Sequence, residues 1–175
     1  MIPLSMCLDE VNKLPSEQFI KIFGNVVEHS PAAAICILKN RPFHDVASIS
    51  SAINIYLDSL SSQELMSVVQ LHPDLAGKLA ELGKMSTEST FEQSTMGLLN
   101  LSTEEKHKLI HLNEEYKKRF GFPFIVCIRE TNGLCDIVQL IQQRLGNSID
   151  EELKTSIAEV KKISRLRVQA LVKQE

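Results

Sequence analysis

The chain has 175 residues, 43% hydrophobic and 23% charged, which places it among ordinary globular proteins and outside the disordered class. Lys plus Arg number 19 against 22 Asp plus Glu, a formal net charge of −3, which argues against a nucleic-acid binder with its basic excess. No run approaches the roughly 18 apolar residues of a membrane span, and the N-terminal MIPLSMCLDE lacks the basic region and long apolar run of a signal peptide, so a cytoplasmic protein without membrane or nucleic-acid partners is expected.

Taken in chain order, the periodicity is helical almost throughout. Ser16 followed by Glu17, Phe19, Ile20, Ile22 and Phe23 predicts a capped amphipathic helix with Gly24 near its end. Pro31 opens AAAICILKN as a first-turn proline, and Pro42 stops what precedes it. From Asp45, the residues Val46, Ile49, Ile53, Tyr56, Leu57 and Leu60 recur at steps of three and four. Ser61 with Glu64, Ser102 with Glu105 and Ser148 with Glu151 have capping-box spacing, each before a further apolar-periodic stretch. The second of these should end at Gly121, a left-handed C-terminal residue, and the last carries Leu153, Ile157, Val160, Ile163, Leu166 and Leu171.

Phe120 to Ile128 breaks the pattern. It is apolar and β-branched, has no obvious partner strand, and its backbone groups must find partners elsewhere. A polar ligand could supply them. The expectation is an all-α fold: a single compact multi-helix bundle domain over residues 1–175, with one buried extended segment near residues 122–128. The four cysteines, Cys7, Cys36, Cys127 and Cys135, stand without CxxC pairing and suit small buried hydrophobes in a reducing compartment.

Three groups of residues could carry chemistry. His72 ends an apolar run and precedes Pro73, which forces it out of helical geometry and aims the imidazole at a fixed angle. Such a histidine can move a proton near neutral pH; equally, it can cap free helix carbonyls. Ser89, Glu92 and Gln93 share one face if helical, offering a hydroxyl, a carboxylate and an amide to a urea-like ligand, or forming only a polar first turn. Arg167 follows core-like Leu166 and could clamp a carboxylate or lie at the surface. His107 and His111 are four apart on a helix, but Lys108 stands where a zinc-protease helix places its Glu, and the lysines around them suit a solvated face.

Together, His72-Pro73-Asp74-Leu75-Ala76-Gly77, Glu88-Ser89 through Glu92-Gln93, Phe120-Gly121-Phe122-Pro123-Phe124 and Lys161-Lys162-Ile163 through Leu166-Arg167 resemble the 2-oxo-4-hydroxy-4-carboxy-5-ureidoimidazoline decarboxylases of urate breakdown. The likeness runs from about Asp9 to the C-terminal helix and includes Phe23-Gly24-Asn25 and Arg41-Pro42-Phe43. The resemblance implies a helical homodimer that converts a small ureidoimidazoline to (S)-allantoin and carbon dioxide with no metal or organic cofactor. It assigns catalysis to His72 and Glu92, and substrate binding to Pro73, Ser89, Gln93, the backbone of Phe124, Ile125, Val126, Cys127 and Ile128, and Arg167. Arg165 stands two positions before Arg167 and is the alternative for that last role. Some relatives end in a Ser-Lys-Leu-type peroxisomal signal, whereas this sequence ends Val172-Lys173-Gln174-Glu175. A binding module that keeps the fold without activity is the competing expectation.

Overall fold

The structure, a computed structural model, describes residues 5–77 and 83–173. Met1 to Leu4, Gln174 and Glu175, which bear on the targeting expectations, lie outside the described residues. Nine α-helices are described: α1 (Leu8–Lys13), α2 (Ser16–Phe23), α3 (Pro31–Leu38), α4 (Val46–Asp58), α5 (Ser62–Gln70), α6 (Thr87–Thr95), α7 (Thr103–Phe120), α8 (Leu134–Arg144) and α9 (Ile149–Leu171). Short 3₁₀ turns occupy Leu98–Asn100 and Ile128–Glu130. No strand occurs among the described residues; a lone parallel bridge joins Met6 to Val172. No described helix is long and apolar enough to cross a membrane.

The three predicted capping boxes are formed. Ser16, expected as a cap, is instead the first residue inside α2, which starts from Pro15 without a side-chain cap because the proline side chain offers no hydrogen-bonding group. The hydroxyls of Ser61, Ser102 and Ser148 accept the N–H three residues on, and each box glutamate accepts the serine's own N–H in return. Asp45 plays the same part before α4, accepting from the Ser48 N–H at 2.6 Å. Gly121 closes α7 at φ +79°, a left-handed conformation that a side chain would strain. Two helices lie outside the expected set. Helix α1 is only six residues long, and α8 starts from Gly133 without a side-chain cap, so the start signals used elsewhere are missing from α8.

The 23-residue α9 spans about 34 Å and packs against α4 and α5, while α2, α3 and α4 pack in succession and α7 lies on α8. Phe19 and Phe23 stack at 4.4 Å on one side of the core. Tyr116 on α7 is ringed by Phe120, Phe122 and Phe124 at 4.7, 5.9 and 5.2 Å, so the extended segment after α7 is held first by aromatic packing.

That segment's backbone is held partly by side chains. Arg144 donates to the Ile125 carbonyl at 2.7 Å and lies 4.5 Å over the Phe124 ring. Glu159 accepts the Cys127 N–H at 2.8 Å. Arg144 is itself buried and paired with Glu152, which also accepts from Tyr116 and Asn147. Of the four cysteines only Cys127 is buried; Cys7 and Cys36 are half-buried and Cys135 is exposed, all as free thiols. The expectation of four buried cysteines is corrected for these three. Cys7 is the N-cap residue of α1 and Cys135 stands in the first turn of α8, both at helix ends and not in the packed middle of the helix.

Candidate active site

His72 stands just past the end of α5, where the chain turns into Pro73-Asp74-Leu75-Ala76-Gly77. This loop is fixed from two neighbouring helices. Gln93 on α6 accepts the Ala76 N–H at 2.9 Å and donates to the Asp74 carbonyl at 3.3 Å. Asn113 on α7 donates to the Leu75 carbonyl at 2.9 Å. A Cβ on Gly77 would stand 2.7 Å from that of Asp74, so the turn needs glycine there.

The imidazole has two distinct ends. Nδ1 lies 3.1 Å from the Val68 carbonyl, and since a carbonyl only accepts, Nδ1 carries the proton. Nε2 is buried and has no partner among the described residues. Burial is the main cause that pushes this histidine down to about 4; the Glu28 carboxylate opposes that shift and Arg167 adds to it. At neutral pH the ring is uncharged, with a bare lone pair on Nε2.

Arg167 on α9 organises the acidic part of the same site. Its Nε and one Nη bind both oxygens of Glu92 at 2.8 Å each, a bidentate pair. The other donors reach Ser89 Oγ at 3.2 Å, Glu28 at 2.7 Å and the Asn25 carbonyl at 2.9 Å. A guanidinium has five N–H donors, and here protein acceptors engage all of them. Ser89 in turn donates to Glu28 at 2.8 Å. Arg165, by contrast, points outward and pairs with Glu130 at 2.8 Å.

Glu28 was not singled out by sequence. It is 0% exposed, lies between α2 and α3, and its second oxygen makes no hydrogen bond. Burial pushes its carboxyl up, but the Arg167 charge and hydrogen bonds from Ser86, Arg167 and Ser89 more than offset this and leave it below its ordinary value. The signal available was a glutamate directly after Val26 and Val27, an apolar pair that implies burial.

All eleven residues singled out as site residues line one cavity. Among the described residues, the N–H groups of Ile125 and Val126 make no hydrogen bond, so donors of the extended segment remain free at the wall. Cys127 is pushed up to about 11, by burial first and then by Glu130, Glu159 and Glu92; its thiol stays protonated and is no nucleophile. His107 and His111 are exposed on α7, and no three potential metal-ligating side chains converge among the described residues.

The OHCU decarboxylase family model matches residues 12–169, nearly the whole chain. This chain belongs to the OHCU decarboxylase family. The 2-oxo-4-hydroxy-4-carboxy-5-ureidoimidazoline decarboxylase of Amia calva is 38% identical over 167 residues, 95% of each chain. A crystal structure of (S)-allantoin synthase superposes with a TM-score of 0.74 at 18% identity, covering 95% of this chain and 54% of that one. A second, of an OHCU decarboxylase in the presence of (S)-allantoin, gives 0.66 at 21% identity over 90% of this chain and 98% of that one. At those identities the two structures speak for a shared fold, which is the all-α arrangement expected from the sequence.

Proposed function

We propose that the chain decarboxylates 2-oxo-4-hydroxy-4-carboxy-5-ureidoimidazoline to (S)-allantoin and carbon dioxide, the reaction class named for its relatives. The observation that carries the reading is the buried, unpartnered Nε2 of a neutral His72 at the wall of a cavity lined by Glu92 and the Ile125–Val126 backbone. Decarboxylation leaves an electron pair that needs a sink, and this substrate holds one, an imine beside the carbon that loses carbon dioxide. The bond to the carboxylate breaks, carbon dioxide leaves, and the pair passes through the ring carbons to the imine nitrogen, which takes a proton from solvent. The hydroxyl then becomes a carbonyl as its proton is transferred to the neighbouring ring carbon.

His72 Nε2 is the atom assigned to that last transfer, taking the hydroxyl proton and returning it on one face of the ring, which sets the (S) configuration. Glu92, held by Arg167, is placed to position the hydroxyl or ureido group, and the free N–H groups of Ile125 and Val126 to receive ring carbonyl oxygens. Arg167, Ser89 and Gln93 support these groups through the contacts described. The same reading takes the chain as one domain and a homodimer that works without metal or organic cofactor; sedimentation, and turnover after exhaustive chelation, check the last two.

The test is a circular-dichroism time course with the substrate generated in the cuvette from urate by the two preceding enzymes. Wild type is expected to produce the (S)-allantoin signal well ahead of the enzyme-free control. His72→Asn should bind (S)-allantoin yet turn over at least about 100-fold more slowly, the usual worth of a positioned proton carrier. A folded wild type that only matches the control would leave a binding module.

A further inference from the structure

A decarboxylase must first hold a carboxylate, and the groups described above do not provide for one. Arg167 is engaged at all five donors and shares its charge with two carboxylates, Glu28 and Glu92. With His72 neutral, that part of the site carries a net charge of about one negative, which repels an anionic substrate.

A second arginine lines the same cavity. Arg129, in the 3₁₀ turn Ile128–Glu130 that follows the extended segment, borders both this cavity and an adjoining cleft that also touches Glu92 and Arg167. Its guanidinium lies 5.5 Å from the centre of the Phe91 ring on α6, and it makes no hydrogen bond or ion pair among the described residues. The neighbouring cations are committed: Lys162 and Arg165 pair with Glu130, and Lys162 also with Glu159. Contact with an aromatic ring uses none of the guanidinium's N–H donors, so those of Arg129 stay open to bidentate capture of a carboxylate.

We infer that Arg129, braced on Phe91, receives the substrate's carboxylate at the edge of the cavity, the group that leaves as carbon dioxide. This rests on the proposed reaction. It also fits the energetics, because the carboxylate loses its charge as the bond breaks, so a grip on it helps binding more than the chemical step. A half-buried cation at the boundary with the adjoining cleft, outside the buried Glu28–Arg167–Glu92 network, gives a hold weak enough not to trap the ground state.

The experiment compares wild type, Arg129→Met and Arg129→Lys, with folding checked by far-ultraviolet circular dichroism. KM and kcat are measured for the carboxylated substrate, and Kd for (S)-allantoin, which has lost the carboxylate, by calorimetry. Arg129→Met should raise KM at least tenfold, keep kcat within about threefold and leave the (S)-allantoin Kd within twofold, a pattern of lost ground-state binding. Arg129→Lys should recover part of the KM, since its charge remains while the fork is lost. An unchanged KM in Arg129→Met, or an (S)-allantoin Kd that rises by the same factor as KM, overturns the inference. A wild type that forms no (S)-allantoin overturns the reaction itself, an outcome separate from either.

Discussion

His72 shows how a single residue acquires chemistry from its surroundings. The Val68 carbonyl fixes the tautomer, burial removes the charge, and Pro73 with the loop behind it fixes the aim. These features have a thermodynamic consequence. Its folded value of about 4 lies below the ordinary 6.5, so between those limits the unfolded chain binds a proton that the folded chain refuses. Stability is therefore full above about pH 6.5 and falls as pH drops toward 4, by up to about 1.4 kcal/mol per pH unit. Urea unfolding of wild type and His72→Asn between pH 7.5 and 4.5 should show wild type losing ground to the variant on acidification; parallel curves would contradict the assignment. Gln93 makes a second point at this scale. Its amide is used on Asp74 and Ala76, so Gln93→Leu should lower kcat by loosening the loop that aims His72, and should do so with a smaller effect on KM.

At the scale of elements, the helix boundaries were legible where a serine–glutamate capping box is written in the sequence, and not at α1, whose box pairs Glu10 with Cys7. Ser61, Ser102 and Ser148 each pair with a glutamate three residues on, and the helices begin there. Ser148→Ala removes the cap of α9 and should cost about 1 kcal/mol in urea denaturation. The box glutamates are lowered by hydrogen bonds from the serine side chain and backbone, so the stability they add is present above the ordinary carboxylate range and is lost as pH falls through their lowered values. Helix α8 was not legible by this route, because Gly133 offers no capping side chain and tertiary contact through Ile137 and Ile141 holds it instead. The Phe120–Ile128 stretch was legible as a break in the helical pattern, although Phe120 still closes α7 and Ile128 opens a 3₁₀ turn. What meets its backbone was not legible. Arg144 is 19 residues from the Ile125 carbonyl it satisfies, and Glu159 is 32 from the Cys127 N–H.

Across the whole molecule, two buried ionic networks meet the cavity. One joins Glu28, Ser89, Glu92 and Arg167; the other joins Tyr116, Arg144, Glu152 and Ser156 and reaches the cavity wall through Ile125. Removing one member of a buried pair strands the other. Arg144→Met should therefore cost about 3–5 kcal/mol and, by freeing the Ile125 carbonyl, weaken substrate binding as well. The double variant Arg144→Met/Glu152→Met should regain part of that stability, since no charge is then left alone in the core. Calorimetric unfolding checks both; a double variant less stable than the single one would refute the pairing argument.

By itself the sequence determined the helical class, most helix starts, the extended break and the residues that carry the family likeness, because caps, apolar period and motif spacing are written within a few positions of one another. Only the tertiary structure decided what those residues face. Glu28, Glu92 and Arg167 come from three distant parts of the chain, separated by 139 and 75 positions from the arginine to its two carboxylates. Whether Arg167 meets substrate or protein, whether Arg165 turns inward, and whether Arg129 is left without an acid all depend on which helices cross there. Local sequence sets each side chain's chemistry, and long-range packing sets which of its hydrogen-bonding groups remain free.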